Sequence, residues 1–171
     1  HPGSGTSTLV SGLMEHFSWS SLNGGDVFRS EAKRRGMTLA EFGALCTTDL
    51  EVDRQLDALL QERMSAEGAE EIVESRLSGW WAYRLNLDCV RMWIDVDAEE
   101  RARRVVAREG GTVEEALKAN EKRTAVDAER FMQLYGILPE EREPYTIVLD
   151  ATHLGREEVL AAAVEHLEAL A

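Results

Sequence analysis

The sequence predicts an α/β fold, in which helices cover both faces of a parallel β-sheet in three layers. Amphipathic helical patterns alternate with short apolar runs of strand character, which is the succession expected for βα units. A glycine-rich loop at the start of the chain leads directly into the first helix. The 171 residues correspond to one domain that can bury a substantial core.

Hydrophobic periodicity and turn signals divide the chain into helices and strands. Strands are predicted at residues 17–22, 71–74, 90–96 and 145–150. Asn23-Gly24-Gly25 is predicted to be a turn, and Gly110-Gly111 is predicted to end a helix. Helices are predicted at residues 6–16, 27–35, 97–109 and 157–170, and a long charged helix ends near residue 134.

Three further helix starts carry a capping box, a threonine with a glutamate three residues later. The pairs are Thr38 with Glu41, Thr48 with Glu51, and Thr112 with Glu115. The helix after Thr48 has one apolar side, formed by Val52, Leu56, Leu59, Leu60 and Met64. Its opposite side carries Asp49, Asp53 and Asp57.

Composition excludes several classes of function. The formal net charge of −13 argues against a nucleic-acid-binding surface, which would be basic. No apolar run approaches the roughly 18 residues of a membrane span, and no signal peptide is visible. Cys46 and Cys89 are isolated, so we expect two buried free thiols in a reducing cytoplasm. We expect no metal site made of side chains alone, and a monomer without membrane or nucleic-acid partners.

The opening segment Pro2-Gly3-Ser4-Gly5-Thr6-Ser7-Thr8 matches the second half of a Walker A phosphate-binding motif. Glycines permit the curled backbone whose N–H groups bind anions, and the following helix N-terminus adds partial positive charge. Ser7 stands where the motif's hydroxyl binds magnesium, whereas Thr6 replaces the usual lysine. The alternative interpretation is a flexible loop before a helix.

A phosphate-binding loop of this type normally follows the central strand of a parallel sheet. No strand precedes His1. We therefore expect that the chain lacks its first strand, a segment of about six to eight residues.

Several arginines follow predicted strands or lie on the long charged helices. Arg29 and Arg76 come soon after strands, at the sheet edge where open α/β folds bind ligands. Arg101, Arg104 and Arg108 recur along one helix, and Arg123 and Arg130 lie in the long charged region. Arginine binds phosphate oxygens in a bidentate manner, so this set points to a phosphorylated ligand.

The arginine pattern resembles the archaeal-type cytidylate kinases, a group of nucleoside monophosphate kinases. The resemblance is colinear over essentially the whole chain, and Arg76-Leu77-Ser78-Gly79-Trp80 is its most specific element. That element lies in a matching segment that begins at Glu74-Ser75. The other matching segments are Gly25-Asp26-Val27-Phe28-Arg29, Arg35-Gly36-Met37-Thr38-Leu39-Ala40-Glu41-Phe42, Arg101-Ala102-Arg103-Arg104-Val105-Val106-Ala107-Arg108-Glu109-Gly110, Arg130-Phe131, Tyr135-Gly136-Ile137 and Val148-Leu149-Asp150.

The resemblance implies phosphoryl transfer from ATP to CMP or dCMP with Mg²⁺. It also implies one P-loop kinase domain with an acceptor-binding helical insert over about residues 26–67 and a lid over about residues 110–128. By resemblance, the loop and Arg104 bind ATP, and Ser7 binds the metal. Asp26, Arg29 and Arg76 bind the acceptor, and Arg108, Arg123 and Arg130 close over the transferred group.

Recognition of the base has two interpretations. Cytosine presents an exocyclic amine, for which Asp53 and Asp57 are candidate acceptors; alternatively, both belong to a solvated acidic helix face. Trp80 and Trp81 either stack on a base or pack in the core. Two other functions remain open: a kinase of the same architecture for another monophosphate such as AMP, and a non-catalytic nucleotide-binding module, suggested by Thr6.

Overall fold

The computed structural model describes residues 1–169. The described chain alternates between helices and strands as predicted. The strands are β1 (Ser21–Asn23), β2 (Ile72–Glu74), β3 (Met92–Asp95) and β4 (Ile147–Asp150). The helices are α1 (Thr6–Phe17), α2 (Gly24–Arg34), α3 (Leu39–Thr48), α4 (Leu50–Met64), α5 (Ser78–Arg84), α6 (Ala98–Glu109), α7 (Val113–Tyr135) and α8 (Arg156–Glu168).

The strands form two parallel pairs. β1 pairs with β2 with Leu22 opposite Val73, and β3 pairs with β4 with Trp93 opposite Val148. The prediction of parallel pairing is confirmed, but the described residues do not form one continuous sheet. β2 and β3 are not hydrogen-bonded to each other, and both contribute to the lining of a cavity of about 360 Å³.

Three apolar clusters place helices on both sides of the strands. One joins β1, α2, α4, α5 and α7 around Leu22, Trp80, Trp81 and Phe131. The second joins α1 and α8 to β3 and β4. The third lies within the α2–α4 segment, around Phe42. Trp80 and Trp81 are buried in the first cluster, so their core interpretation is confirmed.

Local sequence explains where most helices begin and end. Capping boxes start α3 at Thr38 and α7 at Thr112, as predicted. The third predicted box is wrong, because Asp49, not Thr48, caps α4 by accepting a hydrogen bond from the Glu51 N–H. The hydroxyl of Thr48 donates to the carbonyl oxygen of Leu45 at 3.0 Å instead, within the last turn of α3.

The segment after α1 differs from the prediction. Residue 17 ends α1, and Ser18 takes a left-handed conformation with φ 58°, so the strand is limited to β1. The predicted turn at residues 23–25 is wrong, since the Asn23 side chain accepts from the Gly25 N–H at 2.7 Å and caps α2 directly. Because the Asn23 side chain binds a free N–H group at the helix N-terminus, α2 begins at Gly24 without an intervening turn.

Strand ends and two burial predictions also need correction. The predicted strands at 71–74, 90–96 and 145–150 are shortened to β2, β3 and β4, and helix α5 was not predicted.

Leu59 is 38% exposed, so the apolar side of α4 is narrower than its sequence suggests. Cys46 is buried as expected, but Cys89 is exposed. The predicted end of the last helix at residue 170 lies outside the described residues.

No helix among residues 1–169 combines the length and the apolar character that a bilayer crossing requires.

A buried carboxylate holds the end of α2. Glu31 is only 6% exposed and accepts hydrogen bonds from Arg34 and Arg35 at 2.6 to 2.7 Å. Hydrogen bonds from these two guanidinium groups lower the pKa of Glu31 to about 2. Folding therefore favours the ionised form of this side chain.

We expect Glu31→Gln to lower the free energy of unfolding by about 1–3 kcal/mol near neutral pH, because the charge-assisted hydrogen bonds from Arg34 and Arg35 are lost or weakened. Since the folded pKa is depressed, this contribution is complete above the ordinary value of 4.5 and disappears as pH falls toward about 2. Urea unfolding of both proteins across this range measures it, with exposed Glu67→Gln as the control. A loss that does not change with pH would contradict the ion-pair explanation.

Candidate active site

A cavity of about 660 Å³ connects the phosphate-binding loop with the arginines and aspartates singled out from the sequence. Its lining comes from the loop, from α4, from the residues after β2 and from α7. Of the predicted site residues, it includes Pro2, Gly3, Ser4, Gly5, Thr6, Ser7, Thr8, Asp53, Asp57, Arg76, Arg108, Arg123 and Arg130. A volume of this order lies in the range typical of small-molecule sites.

The loop is held in a conformation that requires glycine. Gly3 and Gly5 have φ values of 81° and 84°. A Cβ on Gly3 would lie 2.3 Å from the carbonyl oxygen of Arg101, so the loop backbone packs directly against α6. The buried Ser4 hydroxyl donates to the carbonyl oxygen of His1 at 2.8 Å, which closes the curl. The loop therefore leads into α1 with the geometry expected of an anion-binding helix N-terminus.

A carboxylate that the sequence analysis missed faces the loop. Glu74 ends β2, and the Ser7 hydroxyl donates to it at 3.0 Å. The Asn23 amide donates to the other oxygen of Glu74 at 2.7 Å and fixes its orientation. The available signal was position, because an acidic residue ends a strand two residues before Arg76. A hydroxyl and a carboxylate are oxygen ligands that suit Mg²⁺, which usually also keeps water and phosphate ligands.

The residues present therefore fit a magnesium ion shared with a bound phosphate, although they do not form a protein-only cage. Among residues 1–169, no group of three or more His, Cys, Asp or Glu side chains is placed to hold a metal. In proteins, Mg²⁺ usually binds to one or two protein groups and to substrate phosphates, and these residues fit that arrangement.

Arginines form the positively charged part of the cavity. Arg76 follows β2, and Arg123 and Arg130 project from α7. Burial, together with the charges of Arg123 and Arg130, lowers the pKa of Arg76 to about 10. These guanidinium groups are thus close enough to repel one another, so an anion placed among them would be stabilised. Arg108 also lines the cavity but is exposed and pairs with its neighbour Glu109.

One carboxylate lies between two of these arginines. Asp127 of α7 forms ion pairs with Arg76 and with Arg130, whose Nη2 is 3.3 Å from its Oδ1. Arg130 Nε also lies 3.5 Å from Asp53 Oδ2. The sequence analysis missed Asp127, because the acidic residues of a long charged helix give no signal of which one faces a cavity.

The part of the cavity lined by α4 is acidic and apolar. Asp53 is 12% exposed, and the Tyr135 hydroxyl donates to Asp57 Oδ2 at 2.6 Å. Burial raises the pKa of both aspartates, and the charge of Asp53 further raises that of Asp57. Phe28 and Phe131 line the same cavity. The solvated-face interpretation of Asp53 and Asp57 is therefore wrong.

Three predicted site residues do not line the cavity. Asp26 and Arg29 form an exposed ion pair at 2.6 Å, although the Arg29 guanidinium lies beside Gly25, which does line it. Arg104 lies behind the loop, where its Nη1 would be 3.8 Å from a Cβ on Gly5. Its guanidinium donates to the carbonyl oxygen of Ala151 at 2.7 Å, so it joins the loop to the segment after β4.

The contact between Gly3 and α6 gives a direct test of the loop. We expect Gly3→Ala to weaken ATP binding at least about tenfold, because both the positive φ and the clash with the Arg101 carbonyl force the loop to move. Calorimetric titration with ATP measures the change. Gly36→Ala is the matched control, since Gly36 also has positive φ (68°) but no atom within 4 Å of its Cβ position. Equal losses in both variants would contradict the prediction.

Comparison with known proteins agrees with this geometry. The sequence model described as an AAA domain matches residues 1–122. The chain is 37% identical to the cytidylate kinase of Thermococcus kodakarensis, over 96% of this chain and 84% of that protein. It is 37% identical to that of Pyrococcus furiosus (97% and 85%) and 35% identical to that of Halobacterium salinarum (98% and 86%).

Solved structures with low sequence identity share the fold. An uncharacterized protein from Eubacterium ventriosum superimposes with a TM-score of 0.71 at 16% identity, covering 98% of this chain and 93% of that one. A Thermus thermophilus protein gives a TM-score of 0.59 at 22% identity, with coverages of 98% and 94%. Together with the AAA-domain match, the short parallel strands between helices show a P-loop kinase-like fold. With a match to the AAA domain and relatives above 30% identity over nearly its whole length, the chain belongs to the family of the archaeal cytidylate kinases.

Proposed function

We propose that the protein is a nucleoside monophosphate kinase that transfers the terminal phosphoryl group of ATP to CMP or dCMP. The observation that supports this most strongly is that one cavity joins a phosphate-binding loop to four arginines and to two partly buried aspartates. Phosphoryl transfer requires mostly positioning and charge neutralisation, and these residue types supply both.

ATP is placed with its phosphates in the loop. The backbone N–H groups of Gly3 and Gly5 and the N-terminus of α1 contact the phosphate oxygens, while Arg104 supports the loop from behind. Ser7 and Glu74 would hold Mg²⁺, which would neutralise charge on the phosphates. Thr6 supplies no charge, so the cations that balance the transferred group come from the cavity arginines.

The acceptor is placed with its phosphate at Arg76 and Arg130 and its base at the acidic end. Both arginines can bind phosphate oxygens through paired N–H groups. Arg29, exposed at the rim beside Gly25, and its partner Asp26 are within the insert proposed for acceptor binding. The phosphate and base subsites then follow the order of charges along the cavity, positive at Arg76 and negative at Asp57.

The α7 arginines connect the two nucleotides. Arg123 is exposed, and among residues 1–169 it has no carboxylate within ion-pairing distance. As the phosphoryl group leaves ATP and bonds to an oxygen of the acceptor phosphate, Arg123 and Arg108 stabilise the negative charge on its oxygens. We place Arg123 on the lid, residues 110–128, whose closure excludes water that would otherwise hydrolyse ATP. Arg108 lies at the end of α6, just before the lid. We further propose that the protein acts as a monomer.

We expect the full chain to form ADP with CMP or dCMP, ATP and Mg²⁺ at about 1–100 per second, and to do so more slowly with UMP or AMP. A coupled assay of ADP release measures this. ATP binding without turnover of any acceptor would contradict the proposal and favour a non-catalytic binding module.

We expect Arg123→Gln to lower kcat by about 10²- to 10³-fold with little change in thermal unfolding, because an exposed cation that acts on the transferred group is lost. The matched control is Arg103→Gln, which removes an exposed arginine of α6 that pairs with Glu99 and Glu100. A similar decrease in both variants would indicate a general charge effect instead.

We expect Asp57→Asn to lower the ratio of kcat/KM for CMP to that for UMP by about tenfold or more. The carboxylate accepts from the cytosine amine, whereas an amide also offers a donor that suits the uracil carbonyl. Steady-state kinetics with both monophosphates give the ratio, with the exposed Asp88→Asn as the control. An unchanged ratio would show that Asp57 does not contact the base.

A further inference from the structure

A row of four side chains with alternating charge crosses the cavity of the candidate active site. Arg76, after β2, pairs with Asp127 of α7; Asp127 pairs with Arg130; and Arg130 lies 3.5 Å from Asp53 of α4. All four line the cavity. The row therefore joins the core, the long helix α7 and the α2–α4 segment through the space in which we place the acceptor.

Asp127 occupies the central position of this row. Its side chain is 15% exposed, and both of its partners are arginines that we assign to the acceptor phosphate. Carboxylate and phosphate are oxyanions that bind guanidinium groups through the same N–H donors. A phosphate that contacts Arg76 and Arg130 must therefore compete with the Asp127 carboxylate for these donors.

We propose that Asp127 is a positioning residue that holds Arg76 and Arg130 together in the ligand-free protein and gives them up to the phosphate of the monophosphate substrate. The proposal rests on the assignment of these arginines to acceptor binding. It adds to that function an internal anion that the substrate must displace.

The charges around Asp127 explain why an internal anion is needed. Arg76, Arg123 and Arg130 are close together, and Arg76 is only 32% exposed. Without a counter-charge, these cations would repel one another in a partly desolvated site. Asp127 lies four residues after Arg123 and three before Arg130, on the same face of α7. It therefore neutralises the cluster until a phosphate takes its place.

The exchange has an energetic consequence for binding. When a site is partly occupied by an internal competitor, its apparent affinity falls by the fraction of molecules in which the site is available. The affinity for CMP should therefore be lower than the arginines alone would give. Cytidine has no phosphate to exchange with Asp127, so its affinity should not depend on this residue.

Calorimetric titration of wild type, Asp127→Asn and Asp127→Ser with CMP, cytidine and inorganic phosphate tests the proposal. We expect both variants to bind CMP and inorganic phosphate about tenfold more tightly, equivalent to about 1.4 kcal/mol, and to bind cytidine as wild type does. The matched control is Asp88→Asn, which removes one negative charge from an exposed position. Thermal unfolding of each variant shows whether it is folded.

Several outcomes would overturn the proposal. CMP binding that is unchanged or weaker in folded variants would show that Asp127 only orients the arginines, and tighter cytidine binding would indicate a general rearrangement. If the variants do not fold, the carboxyl carbon resonance of Asp127 in wild type is decisive: it should shift on addition of inorganic phosphate, and no shift would refute exchange. Absence of CMP turnover by wild type would refute the kinase proposal but not the phosphate exchange.

Discussion

The packing of the loop backbone at Gly3 against the Arg101 carbonyl fixes the position of the loop in which we propose that phosphate binds. There is no room for a side chain at this contact, so the loop, the start of α1 and α6 are fixed relative to one another. Ser7 is thereby brought to the end of β2, where Glu74 and Asn23 complete a polar cluster. Through α6, the same contact fixes the point from which the chain turns at Gly110 into α7 and its arginines.

Charge balance is the second constraint. Positive and negative side chains alternate across the cavity, and burial changes the pKa of Arg76, Asp53 and Asp57. Each group is tolerated because a group of opposite charge lies beside it, or because its neutral form is favoured. A nucleotide monophosphate has the complementary distribution, with a doubly charged phosphate at one end and a base with polar edges at the other. The lining of the cavity thus combines charged groups of both signs with the aromatic side chains of Phe28 and Phe131.

Much of the local structure was predictable because its causes are local. Glycine-rich backbone, helix periodicity and capping boxes act over a few residues, and α1, α3, α6 and α7 were predicted well for this reason. The errors occurred where two local signals compete. Asn23-Gly24-Gly25 has the composition of a turn, yet the Asn23 side chain caps a helix. Thr48 and Asp49 are both good N-caps, and only the path of the chain decides between them.

The sequence by itself determined the fold class, the phosphate-binding loop and the set of arginines, since each depends on residue types at fixed spacing. Tertiary structure alone decided which charged side chains share the cavity. Asp127 and Glu74 look like ordinary acidic residues in the sequence, and Asp53 and Asp57 are consistent with a solvated helix face. Their roles depend on which elements pack together, which is a property of contacts between residues distant in the chain. Arg29 and Arg104 belong to matching motifs but do not line the cavity, because a motif does not fix where a long side chain points.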